Sequence, residues 1–395
     1  MLFNQNRAKK IMEEHGVEAL IATTPENVAY LTGFWIVSFL RHRPRQTLAV
    51  ISKDDMVPDM IISKGLVDHP LMGETWIRQY YVYGQFHFGI TESDLMDSES
   101  NKMLSVIKDY NVHSSATDAL IDCIKHRGLS NAKIGFDQGS DIYNLSGIIK
   151  SHMPRTKIKP AYDIFRKIRI IKTPEEIDRI QSAVAVDEYA LGDAIKSISL
   201  GVTEKKVAQV FKEAVIRNHA LPTLVCIGSG PRSAFPNVEP SDRKIESGDV
   251  IRFDVGCMLN SYHADMARTA FLGAPNEKIQ KYHEALVAGQ EEILAALKPG
   301  ITASHLFDIG VSTVRNNGIP HYHRHHCGHG NGIEGYDLPT ISPNDHTLLE
   351  PGIVLCVETP YYEIGWGGLQ IEDVVVITEN GFEFISNMER KIFVI

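Results

Sequence analysis

Five side chains of the kinds that bind metal ions lie within or beside apolar, strand-like stretches in the second half of the chain: Asp254, Asp265, His329, Glu358 and Glu372. A carboxylate in a buried strand is costly unless it is paired with a cation or binds a metal ion. Four carboxylates gathered without any cation would also repel one another strongly. The fold of this chain therefore has to gather the five side chains around metal ions, or neutralise each carboxylate with Lys or Arg.

The sequence around these residues favours the first arrangement. Asp254 is predicted to end its apolar strand, and Asp265 follows eleven residues later. Glycines flank His329 in the segment CGHGNG, and they let the backbone pass close to a bound ion. Glu358 and Glu372 lie in the strand-like segments VETP and QIEDV. Four carboxylates and one imidazole suit two ions of Mn²⁺, Co²⁺, Zn²⁺ or Fe²⁺ that share bridging carboxylates.

Short apolar strands and amphipathic helices alternate along the 395 residues, a pattern typical of α/β folds. Predicted strands cover 19–24, 47–52, 60–63, 133–137, 250–255, 353–357 and 374–378, and predicted helices cover 98–110, 117–126, 278–297 and 303–314. The segment TPEE at 173–176 predicts a helix start with a capping box. The chain length and this helix start predict two domains, residues 1–165 and 166–395.

Composition and charge argue against several classes of partner. The formal net charge of −9 and the pI of about 6.0 disfavour binding to nucleic-acid phosphates or anionic membranes. No stretch approaches the roughly 18 apolar residues of a membrane span, and the N-terminus lacks the apolar run of a signal peptide. The five cysteines are dispersed and form no CxxC pair. We therefore expect a cytoplasmic protein with reduced thiols and with neither a nucleic-acid nor a membrane partner.

Four stretches around the five residues resemble the creatinase/prolidase/aminopeptidase P/methionine aminopeptidase family: DVGCMLNSYHADMART, GHGNGIEGYDLP, LEPGIVLCVETPYY and GGLQIEDVVVITENG. The segment NVAYLTGF at 27–34 resembles the N-terminal domain of the creatinase/prolidase branch. The resemblance implies an α/β protein with a small N-terminal creatinase-type α/β domain. A C-terminal α+β metallohydrolase domain with the pita-bread fold would follow it. It also implies a homodimer, in which the N-terminal domain of one subunit lies near the other subunit's active site.

The resemblance further implies a role for each of the five residues. Asp254 would chelate one of two divalent metal ions, and Asp265 and Glu372 would bridge both ions. His329 and Glu358 would complete the second metal site, and Glu358 would also accept and return a proton. The two ions would lower the pKa of an attacking water and polarise the substrate carbonyl. The chain would then be an Xaa-Pro peptidase-like, metal-dependent hydrolase.

Three positions around the expected substrate depart from the family pattern. Asn237 and Tyr336 each stand where the peptidases usually carry a histidine, and Gln370 stands where prolidase-like members often carry an arginine. An asparagine cannot shuttle a proton at neutral pH, and a glutamine cannot pair bidentately with a carboxylate. We therefore expect the three residues to contact the substrate, with Tyr336 in a catalytic position, and a substrate that differs from ordinary Xaa-Pro peptides.

Other candidate residues carry two interpretations each. His325 lies four residues before His329, where the peptidases place a histidine that contacts the substrate. It is predicted to be catalytic, and the alternative is a solvated member of a histidine-rich loop. Phe39 and Arg41 follow the segment YLTGF, where relatives place residues that reach the partner subunit's site. The alternative for these two is a basic surface loop.

The predicted activity is hydrolysis of an amide or related C–N bond in a small amino-acid-like or Xaa-Pro-like substrate, with two divalent metal ions as cofactors. Two alternatives stay open. One is a metal-dependent lyase that acts on a small zwitterionic acid, as some relatives do. The other is a non-catalytic binding protein on the same fold. Binding proteins of this kind have usually lost metal ligands, whereas this chain keeps all five.

Overall fold

The computed structural model describes residues 2–35, 47–73, 75–90, 96–109, 112–137 and 144–395. Phe39 and Arg41 lie outside the described residues. Contacts between Cα atoms divide the chain into two compact units, residues 1–168 and 169–395. This division falls three residues after the predicted boundary. None of the helices that the structure describes combines the length and apolar composition needed to cross a lipid bilayer.

The first unit is a mixed sheet with helices. Its described helices are α1 (Gln5–Glu14), α2 (Pro25–Thr32), α3 (Asp68–Met72), α4 (Ser98–Asp109), α5 (Ala116–His126), α6 (Leu145–His152) and α7 (Tyr162–Arg169). Its described strands are β1 (Ala19–Ala22), β2 (Leu48–Ser52), β3 (Asp55–Ser63), β4 (Gln79–Tyr83), β5 (Lys133–Phe136) and β6 (Lys157–Pro160). They lie in the order β4-β3-β2-β1-β5-β6.

The sequence pattern accounts for this sheet. Every residue of β1 and β2 is buried, as expected for strands covered on both faces. Strand β2 pairs antiparallel with both β1 and β3. The pairs β3–β4, β1–β5 and β5–β6 are parallel. One apolar cluster joins the inner faces of β1, β2, β3 and β5 to α5 and α6. The strands and helices predicted in this region are therefore confirmed, with ends that differ by a few residues.

The second unit contains the five candidate ligands. Its described helices are α8 (Pro174–Lys196), α9 (Glu204–Arg217), α10 (Glu277–Ala296) and α11 (Ala303–Asn316). Its described strands are β7 (Leu221–Ser229), β8 (Val250–Leu259), β9 (Tyr262–His263), β10 (Met266–Phe271), β11 (Gly328–Gly330), β12 (Asp337–Thr340), β13 (Val354–Glu358), β14 (Tyr361–Glu363), β15 (Gly367–Leu369), β16 (Glu372–Thr378), β17 (Gly381–Phe384) and β18 (Phe393–Val394). Two short 3₁₀ turns complete the described elements of the chain, Lys64–Leu66 and Gly230–Ala234.

Two helix pairs cover the large sheet of this unit. Helices α8 and α9 pack together and against β8 and β7, and α10 packs against α11 and β13. The start of α8 has the predicted capping box, in which Thr173 and Glu176 each accept from the other residue's backbone N–H. The apolar faces of α10 and α11 share one core with β13 and β16. The helix-covered arrangement that the sequence predicts is confirmed.

The sheet order places the ligand-bearing strands side by side. The order is β12-β11-β13-β16-β10-β8-β7, with β9, β17 and β18 paired to members of this path. The prediction that Asp254 ends its strand is wrong, because β8 continues to Leu259. The reversal comes only at Asn260 and Ser261, which both have positive φ and form the two-residue turn into β9. Asp254 therefore lies in the middle of a strand that is flanked by β10 and β7.

Candidate active site

Strand register brings three of the carboxylates into one row. Ala267 on β10 lies opposite Asp254 on β8 and opposite Glu372 on β16. Glu372 in turn lies opposite Glu358 on β13. Residues directly opposite each other on neighbouring strands point to the same face of a sheet. The three carboxylates therefore line one face across four adjacent strands.

The other two candidate ligands reach the same face. Asp265 precedes Ala267 by two residues, and His329 lies opposite Cys356, which precedes Glu358 by two residues. Side chains two residues apart in extended backbone share a face. Nε2 of His329 lies 3.7 Å from Oδ2 of Asp265 and 3.8 Å from Oε1 of Glu372. Carboxylate oxygens of Asp254, Asp265 and Glu372 all lie within 4.8 Å of one another.

Three polar atoms of this cluster are buried and have no hydrogen-bond partner among the described residues. They are Oδ1 of Asp265, Nε2 of His329 and Oε1 of Glu372. Buried polar atoms without partners are rare, and each requires an explanation such as a bound ion. The neighbouring Asp373 also has one buried oxygen without a hydrogen bond, Oδ2, but its charge is balanced because Oδ1 accepts from Nη2 of the buried Arg268 at 2.6 Å. The set of donors thus fits a cation that bridges Asp265, His329 and Glu372.

Burial and mutual repulsion shift the acid–base properties of the cluster. Burial, together with the negative charges of neighbouring carboxylates, raises the pKa of Asp265 and of Glu372 well above the ordinary range. Burial also raises the pKa of Asp254, although the positive charge of Arg252 opposes that shift. Burial lowers the pKa of His329, which keeps its imidazole neutral. A neutral imidazole and carboxylates that need a cation are what a metal site requires.

Backbone contacts orient the ring of His329. Its Nδ1 lies 3.0 Å from the carbonyl oxygen of Gly330. A carbonyl can only accept, so Nδ1–H donates and the Nε2 lone pair points at the carboxylates. Glycine is required on both sides, because a Cβ on Gly328 would lie 2.1 Å from the oxygen of Cys356 and one on Gly330 would lie 2.2 Å from that of Leu338.

Glu358 differs from the other three carboxylates, because polar side chains already contact it. Nδ1 of His326 lies 3.1 Å from its Oε1, and Nε2 of Gln370 donates to its Oε2 at 3.3 Å. Nη2 of Arg324 lies 4.0 Å from the same Oε2. Burial alone would raise the pKa of Glu358, but the hydrogen bond from His326 and these positive charges hold the pKa below its usual value. Glu358 is thus kept ionised at the edge of the cluster.

The buried side chain of Arg252 connects this cluster to the loop that precedes β8. Its Nη1 donates to Oδ2 of Asp254 at 3.0 Å and to Oε1 of Gln370 at 2.7 Å. Its Nη2 donates to the carbonyl oxygens of Phe235 and Pro236, and its Nε donates to that of Ser233. Arg252 therefore fixes the loop that carries Asn237 and orients the Gln370 amide toward the carboxylates.

The predicted substrate residues line a cavity of about 260 Å³ over the cluster. Asn237 and His325 are exposed on its wall, whereas Gln370 is buried beneath it. Tyr336 stacks on His329, with ring centroids 3.7 Å apart and an angle of 18° between the planes. The ring of His325 packs edge-on against His326, with centroids 4.3 Å apart, and His326 is the member of the pair that contacts Glu358.

A cysteine also lies next to the candidate ligands. The Sγ atom of Cys356, Nε2 of His329 and a Glu372 oxygen lie within 4.8 Å of one another. Burial raises the pKa of this thiol well above its usual value, and the thiol donates to the carbonyl oxygen of Asp265 at 3.8 Å. All five cysteines of the chain are free and buried. Cys356 thus lies on the same sheet face as the carboxylates, as a neutral thiol.

Sequence reasoning missed three residues of this site. Arg252 could have been noticed, because it is a charged residue inside the apolar run VIRFDV. His326 and Arg324 lie in the segment YHRHHCG, where neither spacing nor composition separates them from their neighbours. Their importance follows only from the path of this loop beside Glu358.

The chain is similar in sequence and fold to known proteins. A model of metallopeptidase family M24 matches residues 178–379, and a model of the creatinase/prolidase N-terminal domain matches residues 5–60. The chain is 36% identical over 257 residues to the Xaa-Pro dipeptidase of Pyrococcus furiosus, covering 65% of this chain and 74% of that protein. The structure of the prolidase from Pyrococcus furiosus superposes with a TM-score of 0.76 and 27% identity, over 96% of this chain and 99% of the other. The prolidase structure from Pyrococcus horikoshii gives a TM-score of 0.78 and 25% identity, over 98% and 99%.

Proposed function

The chain belongs to metallopeptidase family M24, and from this premise we propose that the cavity over β8, β10, β11, β13 and β16 is its dinuclear active site. A member of this family with Xaa-Pro dipeptidase relatives is a metal-dependent hydrolase of dipeptide-like C–N bonds. We propose in addition the number of metal ions, the residues that hold them and the substrate.

One observation carries the assignment of the ligands. Buried atoms of Asp265, His329 and Glu372 converge without a protein partner, although Asp373 beside them is neutralised by Arg268. Among the described residues, no Lys or Arg pairs with Asp265 or Glu372, whereas Arg252 pairs with Asp254 and Arg324 lies near Glu358. We propose that Asp265 and Glu372 would help to hold two divalent ions, chosen from Mn²⁺, Co²⁺, Zn²⁺ and Fe²⁺. Asp254 would complete one ion's ligands, and His329 with Glu358 the other's.

When bound, the ions would supply Lewis acidity, which polarises the substrate carbonyl and lowers the pKa of a water. Glu358 is the group that can take up a proton during the reaction, because it is ionised and lies on the cavity wall. A proton on its Oε1 would lie within hydrogen-bond reach of Nδ1 of His326, 3.1 Å away. The C–N bond breaks, a C–O bond to water forms, and the amine leaves with the proton.

Three residues contact the substrate in this proposal. Burial and the nearby carboxylates raise the pKa of Tyr336, so its phenol remains protonated and can donate a hydrogen bond. Asn237 and His325 offer polar groups from two other sides of the cavity. A volume of about 260 Å³ lies at the small end of ligand sites, which favours a dipeptide-sized substrate over a longer chain.

The test is hydrolysis by the Mn²⁺-reconstituted protein. We expect it to split a dipeptide-like amide, with slower turnover of an ordinary Xaa-Pro dipeptide such as Ala-Pro because of Asn237, Tyr336 and Gln370. One oxygen of the new carboxylate should come from ¹⁸O-labelled water. Glu358→Gln should lower kcat by about 10²-fold or more. An alkene product, or no cleavage of a broad panel of dipeptides and N-acyl amino acids by metal-loaded protein, would contradict the proposal.

We also propose a homodimer with two ions per chain, following the resemblance to the family. Native mass spectrometry of the metal-loaded protein measures both quantities at once. A mass of two chains with four divalent ions is expected. A monomer, or a single ion per chain, would contradict this part of the proposal. The hydrolase assignment would then still be tested by the hydrolysis experiment alone.

A further inference from the structure

We propose that Arg324 binds a free carboxylate of the substrate, so that the enzyme selects dipeptide-like acids over their amides and over longer peptides. This inference rests on the proposed function, because it names the substrate class of the same cavity. Arg324 would thus determine specificity, although nothing in its sequence context indicates such a role.

Arg324 lies on the cavity wall beside the candidate metal ligands. Its side chain is 11% exposed, and Nη2 lies 4.0 Å from Oε2 of Glu358. Its Nε donates a long hydrogen bond of 3.4 Å to the carbonyl oxygen of His326. Of the described residues that line this cavity, Arg324 is the one with a permanently charged side chain that can donate to an anion.

The donors of Arg324 are largely unused, and a second arginine shows the difference. Arg252 donates from Nε, Nη1 and Nη2 to five oxygen atoms of the protein. For Arg324, the hydrogen bonds among the described residues involve Nε alone. Its Nη1 and Nη2 groups are therefore available to an acceptor that enters the cavity. A guanidinium pairs best with a planar carboxylate, through two parallel hydrogen bonds.

Both guanidinium groups flank the ring of Tyr362. The Cζ atom of Arg252 lies 5.1 Å from the ring centroid, and that of Arg324 lies 5.5 Å from it. Contacts between a cation and an aromatic face are favourable and hold the cation in place. The Tyr362 hydroxyl also donates to Oε1 of Gln370 at 3.2 Å. Arg324 is thus held in position before any ligand arrives.

The charge balance of the metal-loaded cavity also favours an anionic ligand at Arg324. Two divalent ions would offset the negative charges of Asp254, Asp265, Glu358 and Glu372. Glu358 is the carboxylate that lies near Arg324, so the ions would also offset the charge that now faces the guanidinium. The guanidinium would then be a partly buried positive charge without a full partner, which is unfavourable until an anion binds. Gln370 cannot take this role, because its Nε2 already faces Glu358 and Glu372 at 3.3 and 3.5 Å.

Distance sets which carboxylate can be bound. In a dipeptide, a single Cα separates the scissile nitrogen from the terminal carboxylate. That carboxylate must therefore be bound close to the groups that cleave the bond. Arg324 meets this requirement, since it lies 4.0 Å from Glu358. In a tripeptide cleaved after its first residue, an amide would face Arg324 instead.

The experiment measures binding of two probes that cannot be hydrolysed. They are Ala-Pro with its amide carbonyl reduced to CH₂, carrying either a free carboxylate or a carboxamide. Calorimetry on the Mn²⁺-loaded protein gives Kd for each probe. We expect the wild type to prefer the carboxylate, and Arg324→Met to weaken carboxylate binding by about 10- to 100-fold while changing carboxamide binding by less than about threefold.

Two further variants make the result specific. Arg324→Lys keeps the charge without the fork of donors, and it should give an intermediate loss. Arg217→Met removes the same charge from an exposed position in the last turn of α9, outside this cavity, and it should change neither Kd. Mn²⁺ affinity should be unchanged in Arg324→Lys. If Arg324→Met does not fold, the Lys variant alone decides, because it preserves the charge and the packing.

The inference is overturned if Arg324 variants weaken both probes equally, or if neither probe depends on Arg324. Its failure can be told apart from failure of the proposed function. Hydrolysis of Ala-Pro without any effect of Arg324 on the carboxylate preference would reject the inference alone. Arg324-dependent carboxylate binding without hydrolysis of any dipeptide-like amide would reject the proposed function alone.

Discussion

The phenol ring of Tyr336 lies flat on the imidazole of His329, with ring centroids 3.7 Å apart. This stack connects a residue on the substrate side of the cavity to a candidate metal ligand. Tyr336 is 57% exposed and lines the cavity. A change of residue at position 336 can therefore affect the position of His329 through ring stacking alone, without a hydrogen bond between the two side chains.

The hydroxyl of Tyr336 can be tested apart from its ring. Tyr336→Phe keeps the stack and removes the donor, and we expect kcat to fall about 10-fold with Mn²⁺ affinity unchanged. Tyr336→His introduces the residue that the peptidases usually carry, and it should raise kcat/KM for Xaa-Pro dipeptides. Steady-state kinetics with Ala-Pro and metal titration check both results. Equal activity of Tyr336→Phe and the wild type would exclude a catalytic role for the hydroxyl.

Arg252 should contribute to stability much more than Arg324. Arg252→Met would leave the buried carboxylate of Asp254 and the amide of Gln370 without a donor, and we expect a loss of about 3–5 kcal/mol in the free energy of unfolding. Arg324→Met should cost less than about 1 kcal/mol, because few protein acceptors depend on it. Urea denaturation of the two variants measures the difference. Similar losses for both would show that our division of their roles is wrong.

Most of the second unit could be predicted from its sequence. The TPEE capping box and the apolar periodicity specify α8, and the β-branched runs specify β13 and β16. The five candidate ligands follow from residue type and context, because carboxylates in apolar strands require a partner. Their convergence needs long-range strand pairing, and the sequence supplied that only through its resemblance to known proteins.

The surroundings of the cluster could not be predicted. His325 matches the family by spacing, yet the residue beside Glu358 is His326. Neighbouring residues in a loop point in different directions, and only the backbone path decides which of them reaches the site. Gln370 lines the cavity, where the sequence predicts a substrate residue, but its hydrogen bonds to Arg252 and Glu358 could not be predicted. Hydrogen bonds between side chains of different strands leave no periodic pattern in a single sequence.

Glu176 should give stability a measurable pH dependence. It is buried in the capping box of α8, where it accepts from the Tyr262 hydroxyl at 3.0 Å, and burial raises its pKa from 4.5 to about 7 despite the charge of Lys172. Between these pH values the folded state keeps a proton that the unfolded state has released. The contribution of Glu176 is therefore present below pH 4.5 and is lost as the pH rises through 7.

Glu176→Gln removes this titration and provides the comparison. We expect the wild type to lose up to roughly 3 kcal/mol relative to the variant between pH 4.5 and pH 7.5, which corresponds to the direction and size of the pKa shift. Urea denaturation in the presence of a chelator measures it without interference from metal binding. A constant difference between the two proteins across this range would contradict the prediction.

Metal binding and stability should be linked through Asp265. Without metal, Asp265→Asn removes a buried carboxylate that lacks a partner, so the variant should be more stable than the wild type in EDTA. With Mn²⁺ at 100 times its Kd, the wild type should gain about 2.7 kcal/mol, or roughly 5–10 °C in Tm. The variant should gain little. Cys356→Ala is the matched control, and it should retain the full metal-dependent gain.

The proposed active site requires that the metal ions are held by Asp254, Asp265, His329, Glu358 and Glu372. Anomalous scattering from crystals grown with Mn²⁺ is the most direct measurement. We predict two peaks per chain, both within bonding distance of these side chains, with Asp265 and Glu372 touching both peaks. Peaks elsewhere, such as at the histidines of the 321–326 loop, or no peak among the five side chains, would contradict the account.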